Sequence, residues 1–275
     1  MINEICISSV IESQNIDSTF IKLPFYKDNK PFDFDKICWG LTLLSAGSMR
    51  FRWNEENPNR DKVLSEIAKD KIVIPLELIH SKIVYDVKSK NQTQNKTGDG
   101  IITANPKYVP IITVADCVPI YFYEPKSCVF GVVHSGWKGT GIIQNAIELA
   151  CKNYNLIPKD FLVAIGPHIN DCCYKISQDR AEFFLQNYGC NSVINRNNEL
   201  FLSLTEANLF ILEKIGINKN NIVVTTDCTC CEKFSVQDRN VFGSFRREAA
   251  FLPNVIDNQT KLKSMTVQGA FVIYK

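Results

Sequence analysis

Two apolar runs around a four-residue polar turn dominate the middle of this chain and leave few choices of fold. Val109 to Tyr123 is rich in Val, Ile, Tyr and Phe, Cys128 to His134 reads CVFGVVH, and Glu124-Pro125-Lys126-Ser127 separates them. Runs of β-branched and aromatic residues bounded by turn residues suit buried β-strands joined as a hairpin or short connection. Inside the first run sit Asp116 and Cys117, and the second ends on His134. A carboxylate beside a thiol in an apolar strand costs free energy unless it is paired or used. The stretch 111–140 is therefore both a core of the fold and a candidate site.

Helical and strand-like segments alternate on either side. Asn57-Pro58 suits a helix start, with Val63, Leu64 and Ile67 at helical spacing. Gly139-Thr140-Gly141 opens a helix through about Tyr154, its apolar positions being Ile142, Ile143, Ala146, Ile147, Leu149 and Ala150. Further helices are expected over 178–188 and 205–215. Strands are expected within 1–25, on both sides of Pro75, and over 101–103, 161–165, 222–226 and 267–274. Residues 88–97 are polar and aperiodic and read as an exposed loop. No Pro/Gly/Ser-rich linker and no repeat divides the sequence, so residues 1–275 are expected to form one mixed α/β domain.

Composition excludes some classes. A net charge of +2 offers no broad field for nucleic acid or an anionic membrane. No apolar run approaches the roughly 18 residues that span a bilayer. The opening residues lack a basic segment followed by an apolar one, as a secretion signal requires. A cytoplasmic setting is expected, with the eleven cysteines as reduced thiols rather than a disulfide framework.

The chain has three histidines, His80, His134 and His168. His80, His134 and Cys117 offer two imidazoles and a thiolate, a donor set suited to zinc or another late transition metal. Three protein ligands leave a fourth position open, as in catalytic zinc sites. Their separations of 37 and 17 residues match no local metal motif, so a metal-free pair, Cys117 as nucleophile and a histidine as base, stands beside this reading. His168, after Gly166-Pro167, reads as a structural histidine. Cys128, Cys151 and Cys190 read as small buried or half-buried hydrophobes. Cys172-Cys173 and Cys228-Thr229-Cys230-Cys231 are a second candidate metal set. No histidine stands within either cluster and no CxxC signature is counted there, so they are expected to remain thiols.

Several segments, taken together and in order, resemble the bacterial laccase-domain family, whose members are also labelled polyphenol oxidases or multifunctional purine nucleoside phosphorylases. They are Ile79-His80-Ser81, GDGIIT at 98–103, TVADCVPIYF at 113–122, HSGWKGTG at 134–141, AIGPHINDCCYKI at 164–176, DCTCC at 227–231 and SFRRE at 244–248. The resemblance implies an α+β fold, a single-domain four-layer α/β/β/α sandwich with mixed sheets. It implies that His80, Cys117 and His134 bind zinc, with copper as the alternative metal. It also implies phosphorolysis of adenosine, inosine, guanosine and methylthioadenosine, and hydrolytic deamination of adenosine. The partners would be purine nucleosides and phosphate, and the chain a monomer or small homo-oligomer.

Asp116 is then the carboxylate available to move a proton or orient a ligand. Arg60, Lys138 and Arg246 are the substrate-binding candidates. Two segments depart from the family pattern. Ser135-Gly136-Trp137-Lys138-Gly139 stands where Ala-Gly-Trp-Arg-Gly is usual, exchanging a planar guanidinium for a point charge. Ser48-Met49-Arg50-Phe51 stands where the family reads close to SLNLG, while Asn59-Arg60 keeps the family's Asn-Arg pair. Two rival readings remain: a copper-dependent phenol oxidase, and a non-catalytic zinc-stabilised binding protein in which a fourth protein ligand closes the site.

Overall fold

A computed structural model, which describes residues 2–14, 16, 18–235, 238–253 and 257–275, splits the long apolar run in two. Tyr108–Val114 and Val118–Glu124 are separate strands, and Ala115-Asp116-Cys117 breaks them. The first belongs to a five-stranded sheet and the second to a seven-stranded sheet. At the crossover Asp116 takes a φ of +75°, a left-handed conformation that a non-glycine residue keeps only where its surroundings hold it. The expectation of a strand with Asp116 and Cys117 inside it is corrected here. A ladder buried on both faces has no partners for a carboxylate, so the chain leaves one sheet, spends these residues in the gap, and enters the other.

The second half of the expectation stands as a hairpin. Val118–Glu124 pairs antiparallel with Val129–Ser135, with Pro119 opposite His134. The seven-stranded sheet runs Asn3–Ile5, Ile222–Thr225, Leu162–Ile165, Val118–Glu124, Val129–Ser135, Gly100–Thr103, Val84–Asp86. The five-stranded sheet runs Phe20–Leu23, Ile37–Thr42, Gln268–Tyr274, Tyr108–Val114, Ile72–Ile74. Both sheets are mixed: the pairs of Leu162–Ile165 with Ile222–Thr225 and of Ile72–Ile74 with Tyr108–Val114 are parallel. Of the N-terminal stretch expected to hold edge strands, residues 1, 15 and 17 lie outside the described ones.

Strand alternation sorts the core into layers. Val118, Ile120 and Phe122 pack with Ile142, Ile143, Ala146 and Ile147 of the helix Ile142–Tyr154, and with Ile211 and Leu212 of the helix Leu204–Lys214. Tyr121, Tyr123, Phe130 and Val132 point the other way, into the space between the sheets, where they meet Trp39, Ile112, Val114 and Val272. Trp39 stacks on Tyr121 at 4.9 Å between ring centres. On the outer face of the smaller sheet, Val109, Ile111, Phe271 and Ile273 pack against Val63, Leu64 and Ile67 of the helix Pro58–Ala68. The order is helices, large sheet, small sheet, helix: an α/β/β/α sandwich. Among the described residues no helix is long and apolar enough to cross a membrane.

Gly131 sits where this packing is tightest. A Cβ there would meet the Ile101 carbonyl oxygen at 2.2 Å and the Phe122 ring at 2.5 Å, so Gly131→Ala should destabilise the fold by about 3 kcal/mol through overpacking. Urea unfolding measures it; a change under about 0.5 kcal/mol would mean that the hairpin shifts freely to make room.

Candidate metal centre

His80, Cys117 and His134 arrive from three places: a loop before Val84–Asp86, the crossover between sheets, and the strand Val129–Ser135. Their ligand atoms all lie within 4.8 Å of one another, and no fourth His, Cys, Asp or Glu among the described residues joins the group. The two imidazoles meet edge to face, 4.9 Å between ring centres. Gly136 makes room for them. A Cβ at this position would stand 2.8 Å from the Cys117 sulfur and 3.4 Å from His80 Cδ2, so the glycine of the HSGW turn is a steric requirement of the centre.

Asp99 holds the group in place. It is fully buried, and its carboxylate accepts hydrogen bonds from His134 Nδ1 at 2.9 Å, His80 N at 3.0 Å, Ser81 N at 2.6 Å and Ser81 Oγ at 2.7 Å. Its own carbonyl accepts from His134 N at 2.7 Å. With Nδ1 donating to Asp99, His134 presents Nε2 as a ligand, the carboxylate–histidine arrangement common around metals. Burial alone would raise the Asp99 pKa; the bonds from His134 and Ser81 outweigh it and hold the carboxyl below its ordinary range. Cys117 and His134 each favour the charged form of the other. Burial opposes ionisation of the thiol, yet the charge and hydrogen bonds of His134 and His80 lower it to about 6. Burial likewise opposes the imidazolium, but Cys117 and Asp99 raise His134 to about 10. A metal bound here would take Cys117 as the thiolate and His134 as the neutral imidazole. Two imidazole nitrogens and a thiolate within one small sphere fit a zinc ion or a similar late metal.

His80, Cys117 and His134 line a cleft of about 910 Å³. Arg50, Arg52, Lys138, Arg180 and Arg246 bring positive charge to it, and Phe51, Trp137, Tyr174 and Phe245 bring flat apolar faces. Trp137 carries two cations over its ring, Arg180 at 4.2 Å and Lys138 at 5.4 Å from the ring centre. The Arg246 guanidinium stands 5.3 Å from the Tyr174 ring.

Other candidate residues take different places. Asp116 lines the cleft but is 8% exposed, and both its oxygens are engaged. Oδ1 accepts from Thr229 Oγ1 at 2.7 Å and Oδ2 from Arg246 N at 2.6 Å; burial raises its pKa. In this geometry it anchors the 229 and 246 segments to the crossover, and the carboxylate bonded to the His134 ring is Asp99. Arg60 is not among the cleft residues. It is buried, bonds Asp61 Oδ1 at 2.8 and 2.9 Å and the Arg50 carbonyl at 3.2 Å, and lies against the Phe51 ring, so it props the wall from behind. His168 is fully buried, donates from Nδ1 to the Gly166 carbonyl and accepts from Thr205 Oγ1 at Nε2; burial lowers it to about 4, a neutral structural histidine. Cys128 and Cys151 are half-buried as expected, whereas Cys190 is exposed, on the short turn before Val193–Arg196. Asp99 and Arg180 escaped the sequence reading. The signal for Asp99 was its place between Gly98 and Gly100, a charge entering a buried strand.

This fold and centre define a class. Residues 54–251 match the family described as multi-copper polyphenol oxidoreductase laccase, and the chain belongs to that family. It is 30% identical over 205 residues to a purine nucleoside phosphorylase of Clostridium acetobutylicum, covering 74% of this chain and 84% of that protein. It is 33% identical over 141 residues to purine nucleoside phosphorylase YlmD of Geobacillus stearothermophilus; that match covers 49% of this chain, and the chain spans about half of the relative's length, 52%. The crystal structure of YlmD from the same organism superimposes with a TM-score of 0.72 at 24% identity, over 87% of this chain and 92% of that one.

Asp99→Asn keeps the shape but removes the charge that fixes His134 and the backbone at His80. It should weaken metal binding about 10–100-fold, read by competition with a chromophoric chelator. Unchanged affinity would show that Asp99 serves the fold alone.

Proposed function

We propose that this chain is a zinc-dependent purine nucleoside phosphorylase that also deaminates adenosine hydrolytically. The observation that carries the reading is the three-ligand centre opening on a cleft that combines flat apolar faces with several cations. The names of the relatives support phosphorolysis as the main reaction. Adenosine, inosine, guanosine and methylthioadenosine are the substrates expected to share it, because each pairs a flat purine with a ribose or ribose-like ring.

His80, Cys117 and His134 would hold the ion, which when bound supplies Lewis acidity beside the substrate. The remaining work belongs to the side chains. Trp137 and Phe51 offer faces on which a purine can stack. In phosphorolysis a phosphate oxygen attacks the ribose C1′ as the bond from C1′ to the base nitrogen breaks, and the base leaves with a proton. Lys138 and Arg246 line the cleft as cations suited to hold that phosphate. In deamination a water oxygen adds at the purine C6 and ammonia leaves. Asp116, with both oxygens engaged, positions Cys117 and Arg246 for either reaction.

The rival phenol oxidase needs several coppers, and multicopper centres need many histidines. This chain has three, and His168 is committed to Gly166 and Thr205. The non-catalytic reading needs a fourth protein ligand, and the group has three among the described residues. A cytoplasmic setting agrees with eleven cysteines all in the free form.

Copper-free, zinc-loaded protein should convert adenosine to adenine when phosphate is present and to inosine when it is absent, followed by chromatography of the products. Turnover that only copper restores would reverse the assignment.

Lys138 offers a sharper test within the cleft. Lysine acts on phosphate as a point charge, whereas arginine makes two parallel bonds. Lys138→Ala should raise the phosphate concentration needed for half-maximal inosine phosphorolysis about tenfold, on the order of 1.4 kcal/mol of lost anion binding, with metal content intact. Lys138→Arg should match or improve on wild type, and adenosine deamination should suffer less. Identical phosphate dependence in all three proteins would remove Lys138 from the mechanism.

A further inference from the structure

A second group of ligands lies outside the His80–Cys117–His134 centre. The parallel strands Leu162–Ile165 and Ile222–Thr225 lie side by side, and each is followed by a loop rich in cysteine. The sulfurs of Cys172, Cys173, Cys228 and Cys231 all lie within 4.8 Å of one another. Cys172 Sγ is 3.7 Å from Cys231 Sγ and 3.8 Å from Cys173 Sγ. None of the four is in a disulfide. A zinc ion with four sulfurs at about 2.3 Å in tetrahedral array has sulfur–sulfur edges of about 3.8 Å. Both separations fall on that edge and are far longer than a disulfide bond of about 2.05 Å.

We propose that these four cysteines form a structural zinc site that pins the two loops together. Cys228 and Cys231 stand in CxxC spacing, a signature the sequence reading passed over, and the turn closes with Glu232 N donating to the Cys228 carbonyl at 2.9 Å. The loops are already in register: His168 and Cys228 form a parallel bridge, and Thr229 N donates to the His168 carbonyl at 3.0 Å. The Asn170 backbone N–H donates to Cys228 Sγ at 3.3 Å, a contact that steadies a thiolate bound to a metal. A zinc held by four thiolates carries net negative charge, and two guanidiniums, each also paired with a carboxylate, donate to carbonyls of the two loops. Arg247 donates to the carbonyls of Thr229 and Cys230 at 2.9 Å, and Arg196 donates to the Asp171 carbonyl at 3.3 Å. Soft thiolate donors in tetrahedral array select zinc over the oxygen-loving dications.

The consequence reaches the cleft. Thr229, inside the CxxC turn, donates to Asp116, the neighbour of Cys117, and Ile169 N donates to the Asp116 carbonyl at 3.0 Å. The zinc thus fixes the two loops that brace the crossover, and these four cysteines are positioning residues rather than catalytic ones.

The test is the zinc content of the protein purified under reducing conditions. Wild type should hold two zinc ions per chain. Cys117→Ser/His134→Ala should keep one, and after exchange for cobalt that one should show the strong thiolate-to-cobalt charge-transfer bands of a four-sulfur site. Cys172→Ser/Cys231→Ser, which alters the two exposed members, should lose one ion and those bands while the His80–Cys117–His134 ion stays. One zinc in wild type with none in Cys117→Ser/His134→Ala would overturn the proposal. So would a Cys172–Cys231 disulfide found by mass spectrometry in a protein that holds zinc only at the first centre. Because each variant reports on a separate ion, failure here leaves the nucleoside reading standing, and failure of that reading leaves the ion of Cys172, Cys173, Cys228 and Cys231 in place.

Discussion

One buried carboxylate ties the centre together. Asp99 accepts from the ring of His134, from the backbone at His80 and Ser81 and from the Ser81 hydroxyl, while its carbonyl accepts from the backbone of His134. A fully buried charge survives only when its hydrogen bonds are filled, and the groups that fill this one belong to both histidine-bearing segments. The requirement that Asp99 be satisfied therefore fixes the distance between His80 and His134. His80 sits at a φ of +59°, a conformation such bonding can hold.

The third ligand comes from a different constraint. Val109 to Tyr123 is too apolar to be exposed and carries a carboxylate that cannot stay unpaired in a sheet. The sandwich resolves this by giving the halves of the run to different sheets and using Ala115-Asp116-Cys117 as the passage. Asp116 finds partners in Thr229 and Arg246, and that fastening turns the next residue, Cys117, toward the histidines. The same fastening draws in the two cysteine-rich loops, so the cleft wall, the crossover and the sulfur cluster form one connected unit.

Parts of this were legible in the sequence because the information is local. Asn57 caps its helix by accepting from Arg60 N, and Gln178–Tyr188 ends where the periodicity ends. The candidate ligands His80, Cys117 and His134 came from the family resemblance, because their spacing matches no local metal motif. The crossover was not legible: strands buried on both faces show no alternation, so the sequence on either side of Asp116 looks continuous. Asp99 was hidden because its partners lie 19 and 35 residues away. Arg60 matches a family pair, yet sequence carries no sign that its guanidinium turns to Asp61 and the Arg50 carbonyl. The sulfur cluster joins residues more than fifty positions apart, through the pairing of two parallel strands that no local pattern encodes.

We propose a metal held by His80, Cys117 and His134 with its fourth position turned to the cleft. Diffraction data collected on both sides of the zinc absorption edge test it directly. An anomalous peak about 2.3 Å from Cys117 Sγ and about 2.0–2.1 Å from a ring nitrogen of each of His80 and His134 is predicted, with no protein atom as the fourth neighbour. A peak displaced from these residues, or a protein side chain completing the coordination, would contradict the account.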